Sequence, residues 1–273
     1  MKARSPLLTP KWIAGHLLAL ALVVAFVNFG FWQLRRLEQA RSRNEIIEAR
    51  SATPPQGLGT VLPLGEDMEY LPVVVTGAYS PENEVLLRGR STGGGPGFHV
   101  LTPLVLDASA GELAGKAVLV ERGWVPYDMD QVPVTAALPP GGAVRVEGEV
   151  YPPQVPPTGP LAGMAARDPA EGVLTQSFYV DVARLQPQMP FELVPAYLKL
   201  RMQTPPTPGA LPSALPPEQH DLGPHLGYAI QWFSFAIIGV AGYFFLLRSV
   251  LRPRSGLEPP SELKPRSTPP QAS

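Results

Sequence analysis

The chain has 273 residues and a formal net charge of -1, so it has no long-range field to attract a polyanion, and nucleic acid is a poor partner for it. It contains no cysteine, which excludes disulfides, thiolate metal sites, thiol nucleophiles and CxxC redox chemistry together. Its 35 prolines gather in stretches that punctuate the chain instead of spreading through the apolar runs.

Residues 12–34 (WIAGHLLALALVVAFVNFGFWQL) carry no formal charge and exceed the roughly 20 residues a helix needs to cross hydrocarbon. Lys2, Arg4 and Lys11 precede the run as in a secretory signal. The run is too long for one, however, and Phe31, Trp32 and Gln33 stand where a small-residue cleavage site is needed. An uncleaved anchor after a short N-terminus, 1–11, is expected. Residues 35–50 (RRLEQARSRNEIIEAR) read as a helix carrying this span out of the membrane, ended by the Pro- and Gly-rich stretch 51–63.

Strand-like runs follow at 71–79, 84–88, 97–106, 116–125 and 143–151, rich in β-branched residues and separated by turn segments. That pattern predicts antiparallel hairpins in a sheet or partly closed barrel. Residues 152–176 read as a long excursion, and 178–185 and 195–200 as a short helix and a last strand. The domain beginning at 35 thus runs to 204, and 205–225 is a Pro-rich linker. A second uncharged span occupies 226–247 (LGYAIQWFSFAIIGVAGYFFLL), followed by a polar tail, 248–273, expected to be disordered. The predicted fold class is therefore a membrane protein in which two transmembrane α-helices flank a mainly antiparallel β (α+β) extracytoplasmic domain.

Orientation follows from basic residues near span ends. Arg248, Arg252, Arg254, Lys264 and Arg266 follow the second span, whereas 205–225 has no Lys or Arg, so the C-terminus is expected in the cytoplasm. Arg35, Arg36, Arg41 and Arg43 oppose Lys2, Arg4 and Lys11 around the first span, and the second span decides. Two spans then place both termini in the cytoplasm and the domain outside.

Catalytic signals are thin. The GGGPG run at 93–97 lacks the following Lys and Ser/Thr of a phosphate loop and reads as a hairpin loop. Four histidines, His16, His99, His220 and His225, show no i, i+4 zinc spacing; His99 reads as a strand residue without an acidic neighbour. There is no GxSxG elbow, and Glu82/Glu84 and Asp128/Asp130 read as solvated turn residues. The expectation is a protein that is not an enzyme.

The informative residues lie where both spans meet the outer interface. The first span offers Asn28, Trp32, Gln33, Arg35 and Arg36, and the second offers His225, Tyr228 and Trp232 at i, i+3 and i+7, with Gln231 beside them. An imidazole, aromatic walls and two guanidinium groups suit a large flat cofactor: a histidine to ligate haem iron, rings to pack on the macrocycle, arginines to pair with propionates. The same residue types also serve as interfacial anchors and headgroup contacts, and Asn28 and Gln231 as polar links between helices. Both readings stand at this level.

Four motifs together resemble the Surfeit locus protein family of cytochrome c oxidase assembly factors. They are Gly30-Phe31-Trp32-Gln33-Leu34-Arg35-Arg36-Leu37 at the exit of the first span, and 70–79 with Leu87-Arg88. The others are Gly97-Phe98-His99-Val100-Leu101-Thr102-Pro103 followed by VLVERGWVP at 118–126, and His225-Leu226-Gly227-Tyr228-Ala229-Ile230-Gln231-Trp232-Phe233 opening the second span. The resemblance implies a non-catalytic, chaperone-like factor of the cell membrane that helps deliver or insert haem a into oxidase subunit I, with subunit I and haem a synthase as partners. It places the family histidine at His225, a ligand for haem iron, and its aromatic neighbours at Tyr228 and Trp232. It also implies a turn at Arg122-Gly123-Trp124, with Gly123 freeing the turn and Trp124 filling the core. The chain departs from the family pattern at Gly223-Pro224, Glu121 and Ala40. A scaffold that steadies a subunit I intermediate without a cofactor is the alternative.

Overall fold

The structure is a computed structural model that describes residues 6–92, 95–159, 162–216 and 222–252. Lys2, Arg4, His220, Arg254, Lys264 and Arg266, the first part of the GGGPG run, linker residues 217–221 and the tail from 253 lie outside the described residues. The chain forms two compact units: Met1–Ala40 with Leu222–Ser273, and Arg41–Asp221. In chain order the main elements are α1 (Pro10–Ser51), β1 (Gln56–Gly57), α2 (Leu58–Val61), β2 (Pro72–Tyr79), β3 (Val85–Thr92) and β4 (Gly95–Leu106). They continue with β5 (Ala117–Pro126), β6 (Ala143–Tyr151), β7 (Gln176–Ser177), α3 (Val182–Leu185), β8 (Leu193–Thr204) and α4 (His225–Leu251).

The span at 12–34 and the exit helix at 35–50 are one continuous α1, because no Pro or Gly interrupts the good helix formers after Gly30. Both α1 and α4 are long and apolar enough to cross a membrane, and they flank a mixed sheet. The two helices pack antiparallel within their own unit. Going down α1 and up α4, Gln33 meets His225, Phe29 and Phe26 meet Trp232, Val23 meets Gly239, and His16 meets Tyr243. Lipid removes the hydrophobic drive for helix pairing, so close approach has to supply it. Gly30 permits that approach: a Cβ there would stand 2.6 Å from the Phe233 ring, while Ala229 and Ala236 are the buried small residues of α4.

In the other unit the strand order is β1-β2-β6-β8-β5-β4-β3-β7, and β2 also pairs with β4. That extra pairing closes β2, β6, β8, β5 and β4 into a barrel, which removes the edges an open sheet would expose. All ring pairings are antiparallel except β5 with β8, which is parallel. Alternate residues of the five strands fill the ring: Val73 and Val75, Val144 and Val146, Ala196 and Leu198, Val118 and Val120, Leu104 and Leu106. β5 is buried on both faces. Its Leu119 joins Leu87, Leu101 and Tyr197 under a cover that includes Ile47, Val182 and Leu185. Phe98, Val100 and Val125 pack on Val134 and Ala137 in a third cluster.

Two expectations change here. The Arg122-Gly123-Trp124 run lies within β5 and is not a turn. Trp124 exchanges two backbone hydrogen bonds of 2.8 Å with Ser213, and a Cβ on Gly123 (φ +153°) would stand 2.4 Å from the Ser213 carbonyl oxygen. Gly123 is therefore required by close chain contact, and Trp124 is buried. The helix expected over 178–185 is only the short α3, whose N-cap Asp181 accepts from the Arg184 N–H.

A candidate cofactor site on the helix pair

His225 is the first residue of α4 and is half-buried. Its Nδ1 lies 2.9 Å from Oε1 of Gln33, a side chain only 8% exposed on the α1 face that carries Gly30, Gln33 and Leu37. An amide oxygen only accepts, so Nδ1 carries the hydrogen and donates, and in the neutral ring the lone pair then sits on Nε2. Among the described residues Nε2 makes no hydrogen bond. Gly223, with φ +66°, passes beside it, and a Cβ there would stand 3.2 Å from Nε2.

The other imidazole of the pair is complete. His16 Nε2 donates to the Leu7 carbonyl at 3.1 Å, and its Nδ1 accepts from the Tyr243 hydroxyl. With both nitrogens used, His16 acts as a polar pin between the helices.

Of the remaining expected site residues, Trp232 is half-buried in an aromatic cluster, with ring centroids 5.0 Å from Phe29 and 5.7 Å from Phe26. Trp32 and Tyr228 are 49% and 47% exposed. Arg35 is exposed, and exposed Arg36 donates to Gln39 Oε1 at 3.0 Å. Asn28 donates to the Val24 carbonyl of its own helix. The geometry thus joins His225 to Gln33, leaves Trp32, Tyr228, Arg35 and Arg36 facing outward, and adds Phe26 and Phe29 behind Trp232. The sequence signal for those two was their i, i+3 spacing on α1, indistinguishable from a lipid-facing pair.

The barrel holds polar groups that the sequence placed wrongly. Glu84 is 3% exposed, not a solvated turn residue. It accepts from the Thr102 hydroxyl at 2.8 Å and the Val134 N–H at 2.9 Å, and lies 3.4 Å from Arg122 Nη1. Arg122 Nη2 donates to the Ala137 carbonyl at 2.7 Å, and its guanidinium covers the Tyr79 ring at 5.3 Å. Burial is the leading influence on all three groups. It pushes the Glu84 carboxyl up against the lowering pull of Val134, Thr102 and Arg122, pushes the Tyr79 phenol up, and pulls Arg122 down against Tyr79 and Glu84. The network ties the segment around 134–137 to the strands.

His99, read as lacking an acidic neighbour, has Glu121 Oε1 at 2.5 Å from its Nδ1. The bulge between Val100 and Leu101 brings the two together across β4 and β5. Its Nε2 and the Trp124 Nε1 are buried without partners. Among the described residues no group of three His, Cys, Asp or Glu could hold a metal ion.

Two apolar helices paired through glycine, alanine and aromatic contacts, flanking a closed barrel with an internal ion pair, define a two-span membrane protein built around a globular β domain. The SURF1 family model matches residues 20–237. A SURF1-like protein of Mycobacterium tuberculosis is 30% identical over 266 residues, covering 94% of this chain and 92% of its own. One from Monosiga brevicollis is 29% identical over 251 residues, covering 88% of this chain and 90% of its own. The cytochrome oxidase assembly protein SHY1 of Saccharomyces cerevisiae is 28% identical over 117 residues, 42% of this chain and 28% of that one. The chain belongs to the SURF1 family.

Proposed function

We propose that this protein is a non-enzymatic assembly factor for cytochrome c oxidase that assists delivery or insertion of haem a into subunit I. Membership of the SURF1 family and the name of the yeast relative support the assembly role. The observation that carries the haem reading is His225, whose Nδ1 is engaged by Gln33 and whose Nε2 is unbonded. A neutral imidazole nitrogen is an ordinary axial ligand for haem iron, and the missing Cβ of Gly223 leaves room beside Nε2. Exposed Tyr228 and Trp32, with half-buried Trp232, would offer aromatic surface to the macrocycle. Arg35 or Arg36 would pair with a propionate, and the exposed Arg36–Gln39 bond is one that a stronger charged acceptor displaces.

In this reading haem a is cargo and its hold is transient. Arg248 in the last turn of α4 and Arg252 just after it support an orientation with both termini in the cytoplasm of a cell bounded by the plasma membrane, with the barrel outside. Subunit I receives the haem, and haem a synthase is the partner that supplies it. The test is an absorption spectrum of the full chain purified from a host that makes haem a, wild type beside His225→Ala. A haem a signal lost in the variant is the expected result. No signal from either protein, with subunit I still captured, would favour a scaffold without a cofactor.

A further inference from the structure

We infer that Gln33 is a positioning residue for His225, choosing which imidazole nitrogen is presented to the haem and, as a neutral acceptor, leaving the bond to iron weak enough for release; the inference rests on the haem-carrier reading. A neutral imidazole has one N–H and one lone pair, and the hydrogen bond made by one nitrogen fixes the role of the other. On the helix pair that choice belongs to a single contact, the 2.9 Å bond from Nδ1–H to Gln33 Oε1. His16 shows the opposite outcome within the same unit. Its Nε2 is tied to a backbone carbonyl and its Nδ1 to a tyrosine hydroxyl, which leaves no nitrogen to present.

The identity of the acceptor matters as much as its position. A carboxylate at 33 would draw the Nδ1 proton toward itself, giving the ring imidazolate character and a stronger bond to iron. A neutral amide accepts the same proton weakly. The ligand stays correctly turned without the stronger iron bond that a carboxylate partner would give, which suits a site that must hand its cargo on. Gln33 can act in this way because it is itself held in place, buried between Gly30 and Leu37 on the packed face of α1. The amide also has a second orientation. Turned over, it would present N–H to Nδ1, force the hydrogen onto Nε2 and withdraw the ligand.

The first test needs no haem. Nitrogen-15 spectra of the full, haem-free chain in detergent are expected to show His225 protonated on Nδ1 and bare on Nε2, and Gln33→Leu to yield a mixture of both forms. Protonated Nε2 in the wild type, or an unchanged tautomer in Gln33→Leu, would overturn the assignment.

The second test uses haem a loaded on the protein and an excess of haem-free globin as acceptor. Gln33→Leu is expected to release haem faster and Gln33→Glu more slowly, each by about 10-fold or more, the size of effect typical of outer partners of a ligating histidine. The iron–histidine stretching band should move to higher frequency in Gln33→Glu, a shift that a merely structural role would not produce. If the wild type binds no haem, the haem-carrier reading falls while the tautomer result stands. If haem is bound and lost in His225→Ala but release and band position ignore both Gln33 changes, only this inference falls.

Discussion

The barrel unit buries its polar groups, whereas the helix pair leaves one of its own only half-buried. In the barrel Glu84 and Arg122 are sealed from solvent, and the surrounding strands and loop supply a hydroxyl, an N–H and a carbonyl to them, although Arg122 Nε stays buried without a partner. On the helix pair His225 has one partner and one nitrogen over, beside a glycine that leaves it room. An unpaired atom alone does not make a site. His99 also has a carboxylate on one nitrogen and nothing on the other, but its Nε2 is buried where nothing can reach it. Incompleteness combined with access separates His225 from His99, and incompleteness alone separates it from His16.

The comparison breaks hardest at the buried pair. Glu84→Ala leaves Arg122 uncompensated in the interior, and thermal or denaturant unfolding of the full chain in detergent should show a loss of about 3–5 kcal/mol. The double variant Glu84→Leu with Arg122→Met should cost clearly less than the two single changes added together, because no lone charge is left buried.

On the helix pair the largest effect is expected from Gly30→Leu. Its side chain must occupy the space of the Phe233 ring, so the helices part and the His225–Gln33 bond is lost. An overpacking cost of about 1–3 kcal/mol is expected, read as weaker helix association and as loss of haem binding.

The barrel also sets a pH dependence of definite sign. Burial raises the Glu84 carboxyl above its ordinary 4.5, so the folded state binds this proton more tightly than the unfolded one. The associated stability is present below the ordinary carboxylate range and is lost as pH rises through the raised value. Subtracting the unfolding profile of Glu84→Gln from that of the wild type should expose this slope. A flat difference would mean that Thr102, Val134 and Arg122 cancel the effect of burial, and a slope of the opposite sign that they outweigh it.

The smallest change proposed is Gly223→Ala. A methyl group at 3.2 Å crowds Nε2, and φ +66° is unfavourable for alanine, a strain of about 1–3 kcal/mol. Haem content should fall by about 10-fold while helix content stays the same, as read by absorption and circular dichroism.

The two spans were legible because a bilayer demands long uncharged runs, and the strands because β-branched residues alternate between turn segments. The choice between an open sheet and a barrel stayed open, since the β2–β4 pairing and the parallel β5–β8 pairing join distant segments that carry no local mark. Glu84 was misread because it follows Pro81, Glu82 and Asn83, a turn composition that hides a buried strand entry. The partner of His99 was missed because it lies 22 residues away across a bulge. At the helix pair, His225 and Gln33 were visible as polar residues at span ends. Their bond to each other was not, because helix spacing alone does not say which faces meet. Tyr228 shows this: it shares a stripe with His225 and Trp232 by spacing, yet it faces outward, and Ala229 is the residue buried below His225.

The central claim is that the imidazole left incomplete on the helix pair is the working one. The most direct measurement is the haem a absorption of the full chain purified as wild type, His225→Ala and His16→Ala from the same haem a-producing host. The account expects the signal in the wild type and in His16→Ala and its loss in His225→Ala alone. A signal that survives His225→Ala, or disappears only with His16→Ala, would contradict it.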